Sequence, residues 1–380
     1  MTRLIGWLYL TVSFPFLHAR KLWSERSNDA WSGTGASANA GDAVVLQECL
    51  DQYRRRGFDL ERTFDAFAGY LKQAHIPFDF ESKMSEGTFL LNQNKITYIK
   101  NRSMTHGGIV NNMVKLFNMT KNHLGIQTLP EVAFHVNTGD SGTPKATGDS
   151  TRQSERFCLH AVDVSYIACS GTIALPIHGN QDPSLLDEYL NESEALNTTN
   201  WPERKNQAVW RGGKNQHRGE RSHLMQVASS SGGLIDASYR YLPWSAFVSY
   251  KVIIAVDGFG PFSGLFKRAL LSGSPIVQVG HYAGNGEWFE PMLQPFVHYV
   301  PARFDMGDLV EKVKWILNNP VVASTIARNA ATAGRFLFLK KSIACYTYSA
   351  LSYWSEIETI KLIGANSPLT PRSKIIQVSL

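Results

Sequence analysis

Cysteine is scarce in this 380-residue chain: Cys49, Cys158, Cys169 and Cys345 are the only four, and no two stand at Cys-x-x-Cys spacing. That excludes a thioredoxin-like redox motif and the usual structural zinc sites, whose ligands come in close pairs. In an oxidising compartment the four leave room for two disulfides. Long apolar runs are missing too. The best candidate, residues 4–17, follows Arg3 and is broken by Pro15, and it is too short to span a bilayer comfortably. Residues 1–19 are therefore expected to be a signal peptide or a short signal anchor. There is no Walker lysine loop and no nucleic-acid-binding motif, so neither P-loop chemistry nor a nucleic-acid partner is expected. Charged residues make up 18% of the chain against 43% hydrophobic, which is a globular and not a disordered composition.

What is present centres on residues 248–279. Residues 248–256 are apolar and β-branched, as a buried parallel strand should be. Asp257 to Gly264 form a glycine-rich turn with Pro261 placed to enter a helix. Phe262, Leu265, Phe266, Ala269 and Leu270 then share one helical face, Gly273 stops the helix, and residues 275–279 resume a strand. Such a βαβ unit aims helix-start N–H groups at the turn, a place suited to a phosphate. The alternative is a purely structural turn. Gly258-x-Gly260-x-x-Ser263-Gly264 only approximates the dinucleotide fingerprint. An NAD site would also need an acid about 20 residues on, at the end of the next strand. That strand ends in Gly280-His281, and Glu287 comes later. A phosphate-bearing ligand other than NAD fits best.

Charge placement agrees. Residues 204–268 hold 10 Lys and Arg against 3 acids, a surplus of +7 in a chain whose net charge is +6. A basic concentration beside a glycine turn suits an anionic ligand. Residues 208–213 read as the first strand of a second α/β half, running into the basic loop 214–221, where arginine could fork onto phosphate. The alternative is a solvated basic loop.

Length favours two domains. Residues 20–44 read as a flexible stem. Residues 45–200 read as a first α/β half, with a helix at 60–75, a hairpin around 92–95, a helix at 110–124 and a strand at 131–136. Asp140 lies in the polar loop after that strand, either a turn aspartate or a carboxylate at the ligand-binding edge of a sheet. Residues 181–204 are polar and read as a linker, and helices are expected at 309–317, 321–339 and 343–360. Asn101, Asn118, Asn191 and Asn197 stand in glycosylation sequons, which suits a secretory chain.

In this order and spacing the motifs carry a resemblance. Trp201-Pro-x-x-Lys205, Trp210-Arg-Gly and Arg221 come first; then Tyr250-Lys251, Asp257-Gly258, Ser263-Gly264 and Leu270-x-Ser-Gly-Ser274; then Glu287-Trp-Phe-x-Pro, Pro295-Phe-Val-His-Tyr-Val-Pro and Asp308-Leu309. From about Trp201 to Trp354 the chain resembles the glycosyltransferase family of protein O-glucosyltransferases and fungal capsule-associated xylosyltransferases. The resemblance implies a GT-B-like α/β fold, with two Rossmann-like domains facing a cleft and a C-terminal helix returning to the first domain. It divides the chain into an acceptor-side domain at 45–200, a nucleotide-sugar-binding domain at 201–340, a closing helix at 341–365 and a tail at 366–380. It implies inverting transfer of glucose or xylose from a UDP-sugar to a protein or glycan hydroxyl, in the endoplasmic reticulum or Golgi lumen. No metal or other cofactor is expected, and the sequence has no Asp-x-Asp for a cation.

On the same ground Asp140 matches the catalytic base, and Arg211, Gly213, Arg221, Gly260, Pro261, Phe262, Ser263 and Gly264 surround the donor. Cys49 is expected to pair with Cys345, and Cys158 with Cys169. One position departs: Leu265 stands where many members have an arginine directed at the donor phosphates, with Lys267 and Arg268 nearby as substitutes. That departure keeps an alternative open, a catalytically weak or inactive member that binds glycans or proteins or assists folding.

Overall fold

The computed structural model describes residues 40–64, 87–92, 95–100, 109–136, 163–165, 167–168, 172–176, 185–196, 201–214, 219–256, 264–280, 286–356 and 374–379. Two compact units divide the chain, Met1–Ala43 and Val44–Leu380, and both large sheets lie in the second.

The sheet nearer the C-terminus is the parallel one. Its strands are β7 (Lys205–Arg211), β8 (Ile235–Ser238), β9 (Tyr250–Ala255), β10 (Ile276–Val279) and β12 (Val300–Ala302), in the order β12-β10-β9-β7-β8. Every pairing in it is parallel. Apolar side chains on both faces explain why: β10 is buried at all four positions and β9 at five of six. Helix α4 (Glu220–Ser230) follows β7, α6 (Gly264–Leu271) follows β9, and α7 (Leu309–Asn318) follows β12. Leu224 and Ala228 of α4 share one core with Leu309, Val313 and Ile316 of α7, built on Trp210, Val252, Ile254, Val277 and Val300. Fully burying each such aliphatic side chain contributes about 1.5–3 kcal/mol.

Counted from β7, the strands run second, first, third, fourth, fifth across the sheet. The chain order reverses between β7 and β9. In open parallel sheets that switch point, outside the carboxyl ends of the strands, is where ligands settle. It carries the segment after β7 and the start of α6.

The other sheet has six strands in the order β13-β2-β1-β3-β4-β6. They are β1 (Gly87–Asn92), β2 (Lys95–Lys100), β3 (Val132–Val136), β4 (Asp163–Ser165), β6 (Thr172–Ala174) and β13 (Lys374–Ser379). It is mixed: β3, β4 and β6 are parallel, while β13, β2, β1 and β3 pair antiparallel. The hairpin is as expected, with Thr88 opposite Ile99 and Leu91 opposite Ile96. The tail reading of 366–380 needs correction, because β13 adds to the sheet edge along β2 from Lys374 to Ser379. Its Lys-Ile-Ile-Gln-Val-Ser sequence is β-branched and able to form a ladder, and its position near the C-terminus obscured that.

The linker reading of 181–204 also fails. Leu185–Leu196 is a 12-residue helix, α3, and Trp201–Glu203 is a 3-10 turn. Polar composition hid a helical face that buries Tyr189 and Ser193, with Asp187 and Glu188 favourably placed in the first turn.

Helices α8 (Pro320–Leu337) and α9 (Lys340–Glu356) close the fold. Helix α9 packs against α2 (Ile109–Leu124). It also meets α1 (Ala40–Arg54): the Tyr53 hydroxyl donates to Ser342 O at 2.8 Å, and Cys49 is disulfide-bonded to Cys345 across 296 residues of sequence. The pairing expected for Cys49 is thus present; Cys158 and Cys169 lie outside the described residues. Among the described residues no helix is long and apolar enough to cross a membrane.

Candidate functional site

The carboxyl end of β7 is built on Trp210, which is buried. Its indole lies under the backbone of Gly212, where an added Cβ would come within 2.7 Å of the ring. Only glycine allows the chain to turn that closely over the indole. The guanidinium of Arg221 stands over the same ring at 5.6 Å and donates from Nη1 to Gly213 O at 2.7 Å. Tyr239 meets the ring edge-on at 6.0 Å. An aromatic face and a carbonyl together fix the position of the cation.

Two sequence expectations change in detail here. Arg221 is not in a loop: it lies in the first turn of α4, directly after Glu220. The structure brings it together with Gly213, as grouped from sequence. Arg211, by contrast, points into the sheet. It donates to Asp236 O at 2.6 Å and Trp210 O at 2.8 Å, and pairs with Asp236 Oδ1 at 2.7 Å. The Tyr250 hydroxyl donates to the other oxygen of Asp236. This network ties β7, β8 and β9 together just below the switch point. Asp140, Gly260, Pro261, Phe262 and Ser263 lie outside the described residues.

Gly264 opens α6 at the other side of the switch point. An added Cβ there would stand 3.0 Å from the Tyr189 hydroxyl of α3. Leu265 packs against the core. The two nearby cations are engaged by acids. Lys267, only 6% exposed, pairs at 2.6 Å with Glu287, only 3% exposed. Glu287 belongs to β11 (Gly286–Glu287), which pairs antiparallel with β5 (Ile167–Ala168). Arg268 meets Glu192 of α3 at 3.2 Å and lies over the Tyr189 ring at 4.7 Å. Both cations, weighed from sequence as substitutes for an arginine at Leu265, are thus paired with acids. Tyr189 and Glu192 escaped the sequence reading; the spacing of Leu185, Leu186, Tyr189, Leu190 and Ser193 was the signal.

The loop after β12 joins the same edge. His223 of α4 lies 3.1 Å through Nε2 from Asp305 O, and exposed Phe304 lies beside Gly280. Among the described residues no group of three or more His, Cys, Asp or Glu is arranged to hold a metal ion. Chemically, the edge offers a fixed arginine, a helix start and small residues where backbone can approach a ligand. These are means of holding an oxyanion.

Comparison with known proteins agrees with that chemistry. Residues 128–366 match the family model described as glycosyl transferase family 90. Protein O-glucosyltransferase 2 of Danio rerio is 28% identical over 178 residues, covering 42% of this chain and 35% of that protein. Protein O-glucosyltransferase 3 of Homo sapiens is 26% identical over 266 residues, covering 61% of this chain and 48% of that protein. Protein O-glucosyltransferase 1 of Homo sapiens is 27% identical over 177 residues, with 41% and 43% covered. The chain thus spans about half or less of the length of these relatives.

Proposed function

The chain belongs to glycosyl transferase family 90, and from that premise we propose that it is an inverting glycosyltransferase of the secretory pathway. The donor is a UDP-sugar, with glucose or xylose as the sugar, and the acceptor is a hydroxyl on a protein or glycan. The observation that carries this reading is the placement of Arg221, fixed over Trp210 at the switch point of a parallel sheet, across from the start of α6. The relatives' name, protein O-glucosyltransferase, supports glucose and a protein acceptor.

In this reading residues 45–200 and 201–340 face each other across a GT-B-like cleft. Asp140, from the first half, removes the acceptor hydroxyl's proton as the oxygen attacks the anomeric carbon. The bond to the diphosphate breaks on the opposite side. Arg221 and the α6 helix start receive the charge that develops on the leaving UDP. Arg211 acts indirectly, by holding the β7 edge through Asp236.

Arg221→Ala is expected to weaken UDP binding by about 10-fold or more, since hydrogen bonds to charged groups contribute about 1.5–3 kcal/mol. Calorimetric titration with UDP tests this. Unchanged affinity in a folded variant would place the diphosphate elsewhere. A second expectation follows from the missing Asp-x-Asp: EDTA should leave turnover nearly unchanged. Loss of turnover on chelation, restored by Mn²⁺, would contradict the assignment of phosphate charge to protein groups.

One observation favours a second reading, a weak or inactive member acting as a binding or folding accessory. Leu265 is packed against the core, and Lys267 and Arg268 are paired with acids. This end of α6 thus brings no arginine of its own to the donor.

A further inference from the structure

Helix α4 turns one stripe toward the parallel sheet. Leu224 and Ala228 on that stripe are buried and belong to the sheet's core. Glu220, the first residue of the helix, continues the stripe upward, since positions i, i+4 and i+8 share a face. Its neighbour Arg221 donates to Gly213 O just past β7 and lies over Trp210, so this turn sits at the ligand edge. The stripe thus carries the Glu220 side chain inward at the carboxyl ends of the strands.

One oxygen of that carboxylate, Oε2, is buried and has no hydrogen-bond partner among the described residues. A carboxylate oxygen accepts and does not donate, and leaving such a charged acceptor buried and unmet is costly. An acid in a first turn does gain from the helix macrodipole. That gain needs no burial and leaves the oxygen unbonded. The residue as a whole is half-buried, so a ligand at the edge can reach the carboxylate. Phosphate oxygens repel a carboxylate, whereas sugar hydroxyls donate to one. A nucleotide-sugar brings hydroxyls on its ribose and on the sugar to be transferred.

We propose that Glu220 forms a hydroxyl subsite beside Arg221, accepting a hydrogen bond from a sugar hydroxyl of the donor. The proposal rests on the donor reading above. It divides the first turn of α4 between two tasks, Arg221 meeting the diphosphate and Glu220 a hydroxyl. Opposite charges on successive residues then fix which way round the ligand lies. Ribose and transferred sugar offer the same chemistry, and the experiment separates them.

The test is calorimetric titration of the full chain, wild type and Glu220→Ala. The ligands are UDP, UDP lacking both ribose hydroxyls, and whichever of UDP-glucose and UDP-xylose binds tighter. Removing a carboxylate also changes the field at the phosphates, so the readout is preference for the hydroxyl and not bare affinity. With ribose as the source, the wild type should bind UDP about 10–100-fold tighter than the analogue without ribose hydroxyls, the effect of a hydrogen bond to a charged group. Glu220→Ala should then bind the two alike. With the transferred sugar as the source, the wild type should bind the UDP-sugar tighter than UDP by a similar factor, and the variant should lose that margin. Glu220→Gln keeps the shape without the charge and should show a reduced preference, which serves if the alanine variant does not fold. A folded variant that keeps both preferences undiminished overturns the subsite and leaves the donor reading standing. A wild type that binds UDP but is indifferent to both sets of hydroxyls does the same. A wild type that binds none of these ligands overturns both.

Discussion

Asp140→Asn is expected to lower the rate of sugar transfer by about 10²–10⁴, the usual contribution of a positioned general base. Asparagine keeps the shape and much of the polarity but cannot accept a proton. UDP affinity should survive, because the base serves the acceptor while the diphosphate is held on the second half. Arg221→Ala should do the reverse, weakening donor affinity together with rate. That separation comes from the topology of the proposal. Asp140 follows a strand of the mixed sheet, β3, which ends at Val136, whereas Arg221 begins the helix after β7 of the parallel sheet. Single-turnover rates with calorimetry on the same preparations read both effects. Lost UDP binding in a folded Asp140→Asn variant would mean that the sides of the cleft are assigned wrongly.

The second large effect is on stability. Lys267 and Glu287 form an ion pair at 2.6 Å with both side chains nearly inaccessible to water. Removing one partner takes from the other its buried opposite charge. Lys267→Met is therefore expected to destabilise the protein by about 3–5 kcal/mol, and Glu287→Leu similarly. The double substitution should recover much of that loss, because a well-packed apolar pair can replace a buried ion pair at little cost. Urea unfolding of the three variants measures it. A single substitution costing less than about 1 kcal/mol would show that the site is wetter than the structure indicates. The pair has a positional role as well. It pins α6, the helix whose first turn faces the ligand edge, to the short ribbon of β11 and β5. Activity lost in the single variants should return with stability in the double one.

Local sequence signals carried the parallel half well. β9, α6 and β10 lie where the apolar run, the glycine turn and the helical face put them, because each buries a face whose period survives in the sequence. The helix α2 and the β1–β2 hairpin were legible for the same reason. Illegible elements were those whose order comes from distant partners. β13 is defined by its ladder with β2, more than 270 residues away in sequence. α3 looked like a linker because the acidic residues and sequons of its stretch hid the apolar spacing of Leu185, Leu186, Tyr189 and Leu190. The site shows the same division. Arg221 and Gly213 were grouped by motif and do meet. Arg211 was grouped with them but turns into the sheet, because Asp236 on β8 is its partner and no short-range pattern connects the two. Tyr189 was missed since only the tertiary fold brings it to Gly264.

The most direct measurement is UDP release from UDP-glucose and UDP-xylose by the full chain, with and without folded protein domains and glycans as acceptors. The account predicts acceptor-dependent release from one of these donors, lost in Asp140→Asn and retained in EDTA. A protein that binds UDP yet releases none from either donor with any acceptor would contradict it and leave the accessory role in its place.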